Sequence, residues 1–436
     1  LLRFRVQNPA FNLAFNIFES PAPKRISMPP TDTARLRGLD LLRAVAIVLV
    51  LMTHYTGFVA HAPIFGAIGK VGWAGVDLFF VLSGYLIGNQ ILGPVARGES
   101  LSLKVFFARR LLPTLPNYYA VLAVYLLMPL LFPHSPVLGS SAPPLWQLLS
   151  FTQNFGLAYG QTFTHSWSLC IEEQFYVVLP LAALALARIG RNAARVSVGW
   201  CVLVGAIAFG IASRAAAWLT HGYDGFAAQI YYSSLCRFDE LLPGVAIAML
   251  KNFRPMLFAR LLRHGNALCV AGLAATVAVL SGIYKDVPNA FVTTALGFSL
   301  VAASFGLLVC SALSPPCVLN RVRIPGASSL ALWSYAVYLA HKPIFMALQP
   351  ELARLHSDPS TPWCVLVVLA LGVGGGWLLF RCVETPFMRL RARLYPSNRS
   401  VAPKDSAALA ESQGLSLPLP APASVGATSK GFVRRS

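Results

Sequence analysis

Charge is what this chain lacks. Asp, Glu, Lys and Arg make up 12% of its 436 residues while hydrophobic residues make up 56%. A mean hydropathy of +0.62 excludes a water-soluble globular protein, whose charged fraction is about twice as large. Acidic residues are the scarcer sign, 16 against 35 basic, for a net charge of +19. The basic residues nevertheless fall in short clusters between apolar runs, with no continuous basic face and no nucleic-acid motif, so nucleic acid is not an expected partner. The eight cysteines are scattered singly, with no CxxC and no CxxCH, which excludes a disulfide frame or a thiolate metal site and leaves them as small core residues. Residues 1–27 contain no long apolar core followed by a small-residue cleavage site, which argues against a secretory signal. No internal repeat is visible.

What is present is a series of apolar runs long enough to cross a bilayer. They lie at about 38–60, 71–93, 116–133, 167–187, 197–219, 265–284, 291–313, 328–349 and 362–382, with a shorter tenth at about 238–251. The expected fold is all-α, a polytopic transmembrane bundle of about ten helices with both termini cytoplasmic. In that arrangement the clusters Arg35/Arg37, Arg97–Arg110, Arg188–Arg195, Lys251–Arg263, Arg321/Arg323 and Arg389–Arg393 all fall inside, while 134–166, without Lys or Arg, falls outside. Dropping the tenth run would invert the last four helices and break the positive-inside rule. The stretch 99–116, mixed apolar and basic and interrupted by Pro113 and Pro116, reads as an interfacial helix, and 134–166 as a partial helix at the outer surface. An N-terminal cytoplasmic extension (1–35) precedes the transmembrane domain (36–395), and a flexible Pro/Ala/Ser-rich cytoplasmic tail (396–436) follows it.

Ionisable residues inside such runs are costly and mark working sites. In "RAVAIVLVLMTH" (43–54), eleven helical steps place Arg43 and His54 within about 20° of one face and roughly 16 Å apart. His54 lies about six residues below the outer surface, and Asp77, Glu172 and Glu173 are expected at a similar level. A carboxylate there would orient the imidazole as a general base. Arg43 falls near Arg109 and Arg110 at the inner end, where guanidinium groups suit phosphate. Structural alternatives exist for each: Arg43 snorkelling or pairing with Asp40, Arg109 and Arg110 as topology signals, Arg237 with Asp239 and Glu240 as an ion-paired outer cap, and one of Glu172 and Glu173 facing structure. Trp167, Ser168, Arg237 and His341 are taken as candidate acceptor-binding residues. No metal is expected.

The ordered set "LRGLDLLRAVAIVLVLMTHY", "GWAGVDLFFVLSGYLIG", "FFARRLLPTLPNYY", "HSWSLCIEEQFYVVLP", "RFDELLPG", "SYAVYLAHKPI" and "VETPF" resembles the membrane-bound acyltransferase family 3 from about residue 36 to about 390. The resemblance implies transfer of an acetyl or other short acyl group from cytoplasmic acyl-CoA, most often acetyl-CoA, to a hydroxyl of a carbohydrate at the outer face. The family's Arg, ten residues, His pattern falls on Arg43 and His54, its second-helix Asp on Asp77, its Trp-Ser-Leu-x-x-Glu-Glu pattern on Trp167 to Glu173, and its basic inner loop on Arg109 and Arg110. Departures are the missing basic residue before the proline of "ARRLLPTLP" and Ala340 where an aromatic often precedes the histidine. The tail holds no Gly-Asp-Ser, so a stand-alone form is expected. The implied activity is that of a bacterial inner-membrane O-acyltransferase, with His54 as general base or as a covalent acyl carrier. A secondary transporter, which would show inverted repeats and paired broken helices, and a silent membrane scaffold are the other classes.

Overall fold

The computed structural model describes residues 37–131, 141–188, 192–286 and 290–395. The expected extension at 1–35 and the tail at 396–436 lie outside these residues. Every regular element in them is helical, and ten form the bundle: α1 (Arg37–Tyr55), α2 (Ala74–Arg97), α3 (Leu103–Leu131), α4 (Trp167–Ala187), α5 (Asn192–His221), α6 (Leu242–Phe253), α7 (Gly265–Asp286), α8 (Phe291–Ala312), α9 (Ala327–Arg354) and α10 (Pro362–Leu379). Eight of the described helical segments are long and apolar enough to cross a membrane. The other two bundle helices fall short for different reasons: α9 carries His341, Lys342 and Glu351, and α6 has only 12 residues. A short helix, Ser234–Arg237, and a 3₁₀ turn, Phe238–Leu241, precede α6 and bring that run to a length of about 30 Å. The chain is an integral membrane protein built as a polytopic helix bundle.

The core sits around α2 and α8, whose membrane-spanning windows are 67% and 72% buried, whereas those of α5 and α7 are 22% and 17% buried and face lipid. α2 packs against α1, α4, α6 and α8, and α9 packs against α1 and α10. The α2–α6 contact is backbone on backbone: a Cβ at Gly84 would collide with the Leu241 carbonyl, and one at Gly244 with the Val81 carbonyl. Small residues at such crossings allow the close approach that drives helix association in lipid.

Two expectations change. The 99–116 stretch is not a separate interfacial helix. α3 runs unbroken through Pro113 and Pro116, and beside them the Thr114 hydroxyl donates to the Arg110 carbonyl (3.0 Å) and the Tyr335 hydroxyl to the Thr114 carbonyl (3.0 Å). Of the outer segment, 134–140 lies outside the described residues. The rest forms a short helix, Leu145–Ser150, and then descends into the bundle, burying Gln153, Asn154, Phe163, His165 and Ser166.

Candidate active site

α1 joins two cavities. At the His54 end, a cavity of about 370 Å³ is lined by Thr53, His54, Phe58, Tyr159, Thr164, His165, Trp167, Phe226, Tyr231, Tyr232 and Lys342. At the Arg43 end, one of about 550 Å³ is lined by Asp40, Arg43, Arg109, Arg110, Ser168, Glu172, Tyr335, Tyr338, Glu384 and Arg391, among others. Three π-helical turns contribute to them. Thr56–Ala60 places Phe58, Phe226–Tyr231 places Phe226 and Tyr231, and Phe380–Glu384 places Glu384; such turns redirect side chains and recur at functional sites.

In the first cavity, hydrogen bonding sets the tautomer of His54. His341 Nδ1 lies 2.9 Å from the Val337 carbonyl, which can only accept, so Nδ1 carries the proton. In the neutral pair, His341 Nε2 then accepts from His54 Nδ1 at 2.6 Å, and His54 Nε2 is left with its lone pair. The rings stack with centroids 4.9 Å apart. His165 is set in the same way: its Nε2 donates to the Leu339 carbonyl at 3.1 Å, and its buried Nδ1 has no hydrogen-bond partner. The cavity therefore holds one unprotonated imidazole nitrogen, His54 Nε2, against aromatic walls, with the unprotonated His165 Nδ1 buried beside it. Among the described residues no group of His, Cys, Asp or Glu is arranged to hold a metal ion.

The wall between the cavities is one residue thick on α4, since Trp167 lines the first and Ser168 the second. Tyr338 closes it from α9. Its hydroxyl donates to the His165 carbonyl, so its oxygen accepts from Ser168 Oγ at 2.7 Å.

In the second cavity, Arg110 donates to Tyr176 (2.7 Å), which donates to Glu172 (2.6 Å). Arg110 also lies 3.5 Å from Glu172 and 4.0 Å from Glu173. Arg43 is near enough to Asp40, Arg110 and Glu172 to interact with them electrostatically. Arg109 lines the cavity and donates to the Tyr395 carbonyl at 3.2 Å. Glu384 accepts from Asn117 at 2.6 Å.

Several expected placements are corrected. Glu172 and Glu173 are not level with His54. The 151–166 segment is folded into the bundle, so α4 starts at depth, and one further turn and a half carries the carboxylates to the arginines. Asp77 does not orient His54 either: it is fully buried and paired with Arg237 at 2.6 Å. Arg237 lines neither cavity. It is fully buried, held by Asp77 and Glu240 and stacked on Phe298 at 3.9 Å and Tyr231 at 4.8 Å, so its surroundings satisfy it completely and it supports the aromatic wall from behind. His341 lies behind His54 and takes the orienting position expected of a carboxylate. Ser168 belongs to the wall and the arginine cavity, and Trp167 lines the His54 cavity.

His165, Tyr176, Tyr338, Glu384 and Arg391 were not singled out by sequence reasoning. His165 stands two residues before Trp167, and Glu384 is a carboxylate at the end of an apolar run, a signal in its own right.

Residues 36–381 match the acyltransferase domain family designated acyltransferase 3. The chain belongs to this family. It is 28% identical over 374 residues to the peptidoglycan O-acetyltransferase OatA of Listeria monocytogenes, covering 81% of this chain and 56% of that protein. It is 27% identical over 224 residues to the O-acetyltransferase OatA of Staphylococcus aureus, covering 49% and 34% respectively. The chain thus spans about half or less of the length of these relatives. No solved structure matches it.

Proposed function

We propose that this acyltransferase-domain protein moves an acetyl or other short acyl group from acyl-CoA, entering at the cytoplasmic arginine end, to a hydroxyl of a cell-wall carbohydrate at the opposite face. The names of the relatives make peptidoglycan the first acceptor to test. The single observation carrying the reading is α1 itself: one end places a guanidinium in an arginine-lined cavity, the other an unprotonated imidazole nitrogen in an aromatic one. Guanidinium groups of Arg43, Arg109, Arg110 and Arg391 suit the donor's phosphates, while Trp and Tyr faces suit sugar rings. The donor's pantetheine arm would cover the roughly 16 Å along α1 and cross the wall where Ser168 meets Tyr338, which requires their hydrogen bond to open. His54 Nε2 then takes the proton of the attacking hydroxyl, and His341 holds the ring in the required tautomer.

The test is CoA release by the purified protein from acetyl-CoA with soluble glycan strands of peptidoglycan as acceptor. His54→Ala is expected to lower transfer about 10²–10⁴-fold, the usual effect of removing a general base, with acetyl-CoA binding unchanged. A well-folded His54→Ala protein with normal transfer would remove the base from the reading.

A further inference from the structure

Every strongly buried guanidinium in the bundle meets a carboxylate, but the ammonium beside His54 does not. Arg214 pairs with Asp239 at 2.6 Å and Arg237 with Asp77 at 2.6 Å. Lys342 is 5% exposed and follows His341 on α9. Its Nζ lies over the Phe58 ring, 4.8 Å from the centroid, and among the described residues it has no ion pair. Phe58 stands one turn beyond His54, with ring centroids 5.2 Å apart. Lys342 lines the His54 cavity and is near enough to act electrostatically on His54, His165 and His341. Removing a cation from water without a counter-ion is costly, and an aromatic face returns only part of that cost. Such a group is matched to negative charge that appears in the cavity.

That charge has a source in the reaction. Resting on the acyltransfer reading above, we propose that Lys342 is a catalytic residue whose ammonium stabilises the oxyanion formed on the acyl carbonyl during transfer. The acceptor oxygen attacks the thioester carbon as its proton passes to His54 Nε2. A C–O bond forms, and the carbonyl π pair moves onto oxygen. Collapse restores C=O and breaks C–S, and the leaving CoA sulfur takes the proton back from the His54 imidazolium. The oxyanion exists only between these steps, so a fixed cation in a water-poor pocket lowers the barrier without tightening ground-state binding. A reader of an anionic acceptor would be placed at the mouth, where Tyr159 is 73% exposed; Lys342 is at the buried end with the histidines.

The experiment uses the full chain in lipid nanodiscs with acetyl-CoA as donor and either water or tetra-N-acetylchitotetraose as acceptor. Lys342→Met keeps the stem and removes the charge; Lys342→Gln keeps a donor; Lys342→Arg keeps the charge. Met and Gln are expected to lower kcat about 10²–10³-fold for hydrolysis and sugar transfer alike, with KM for acetyl-CoA and thermal stability held, and Arg to recover part of the loss. A rise in sugar KM with unchanged hydrolysis would overturn the assignment, making the lysine an acceptor reader. A loss of thermal stability with unchanged kcat would overturn it too. Failure of the wild-type chain to release CoA while binding it would bring down the acyltransfer reading itself, whereas an active wild type with a fully active Lys342→Met protein sinks only this proposal.

Discussion

His54 gains its free lone pair from a neighbour 287 positions away in sequence, and the buried Asp77–Arg237 pair is likewise made between residues far apart in the chain. Asp77 illustrates the energetics. It and Arg237 are both fully buried, so removing the arginine leaves uncompensated buried carboxylates, a change that typically costs about 3–5 kcal/mol. Arg237→Met alone strands Asp77 and Glu240; Asp77→Asn alone leaves Arg237 with Glu240. The expected order in thermal unfolding is therefore wild type above Asp77→Asn, with Arg237→Met lowest, and Asp77→Asn combined with Arg237→Met no worse than Arg237→Met by itself. Additive losses in the double variant would show that the two side chains do not act as a pair. Acyl-CoA binding should be unaffected in any of these proteins that remain folded, because neither residue lines the arginine cavity.

Between the cavities the working elements are α4 and α9, and their contact makes a prediction about the path of the acyl group. Ser168 is buried and bonded to Tyr338. Ser168→Ala removes one hydroxyl donor and leaves the space; Ser168→Trp fills the space at the wall. If the thioester passes here, the tryptophan variant binds acyl-CoA yet transfers almost nothing, while the alanine variant keeps most of its activity. Equal transfer by a stably folded tryptophan variant would place the path elsewhere. The elements themselves were readable in the sequence, because an apolar run bounded by arginines has few other solutions than a membrane helix. Their relative depth was not. The segment before α4 has no charged residue from 134 to 166, so nothing in it distinguishes burial against protein from residence at the surface. Placing α4 at the surface moved Glu172 and Glu173 to the wrong end. For the same reason the sequence led to His54 and Arg43 as a pair but not to His341 or His165 as their supports: pairing across helices is a matter of rotation about each axis, and π-turns shift that rotation locally.

At the scale of the whole molecule the two cavities open toward opposite ends of one bundle, which makes sidedness the property to measure. Basic clusters sit at the Arg43 end, including Arg97, Lys104, Arg109, Arg254, Arg260, Arg321 and Arg391, and in the proposed reading the positive-inside rule makes that end the cytoplasmic one. On that reading acyl-CoA, a polyanion that does not cross lipid, would reach its proposed site from one side only. In sealed vesicles with the arginine end outward, added acetyl-CoA should support CoA release without detergent. In vesicles of the opposite orientation, release should wait for permeabilisation. Arg43→Gln sharpens the test, since it removes a donor-side cation while His54 is untouched. It should raise the acetyl-CoA KM in the accessible orientation with little change in kcat, and Arg43→Lys should recover only part because a point charge lacks the bidentate fork. Equal release from both sealed orientations, or an Arg43→Gln effect confined to kcat, would show that the two ends of α1 do not divide donor binding from chemistry.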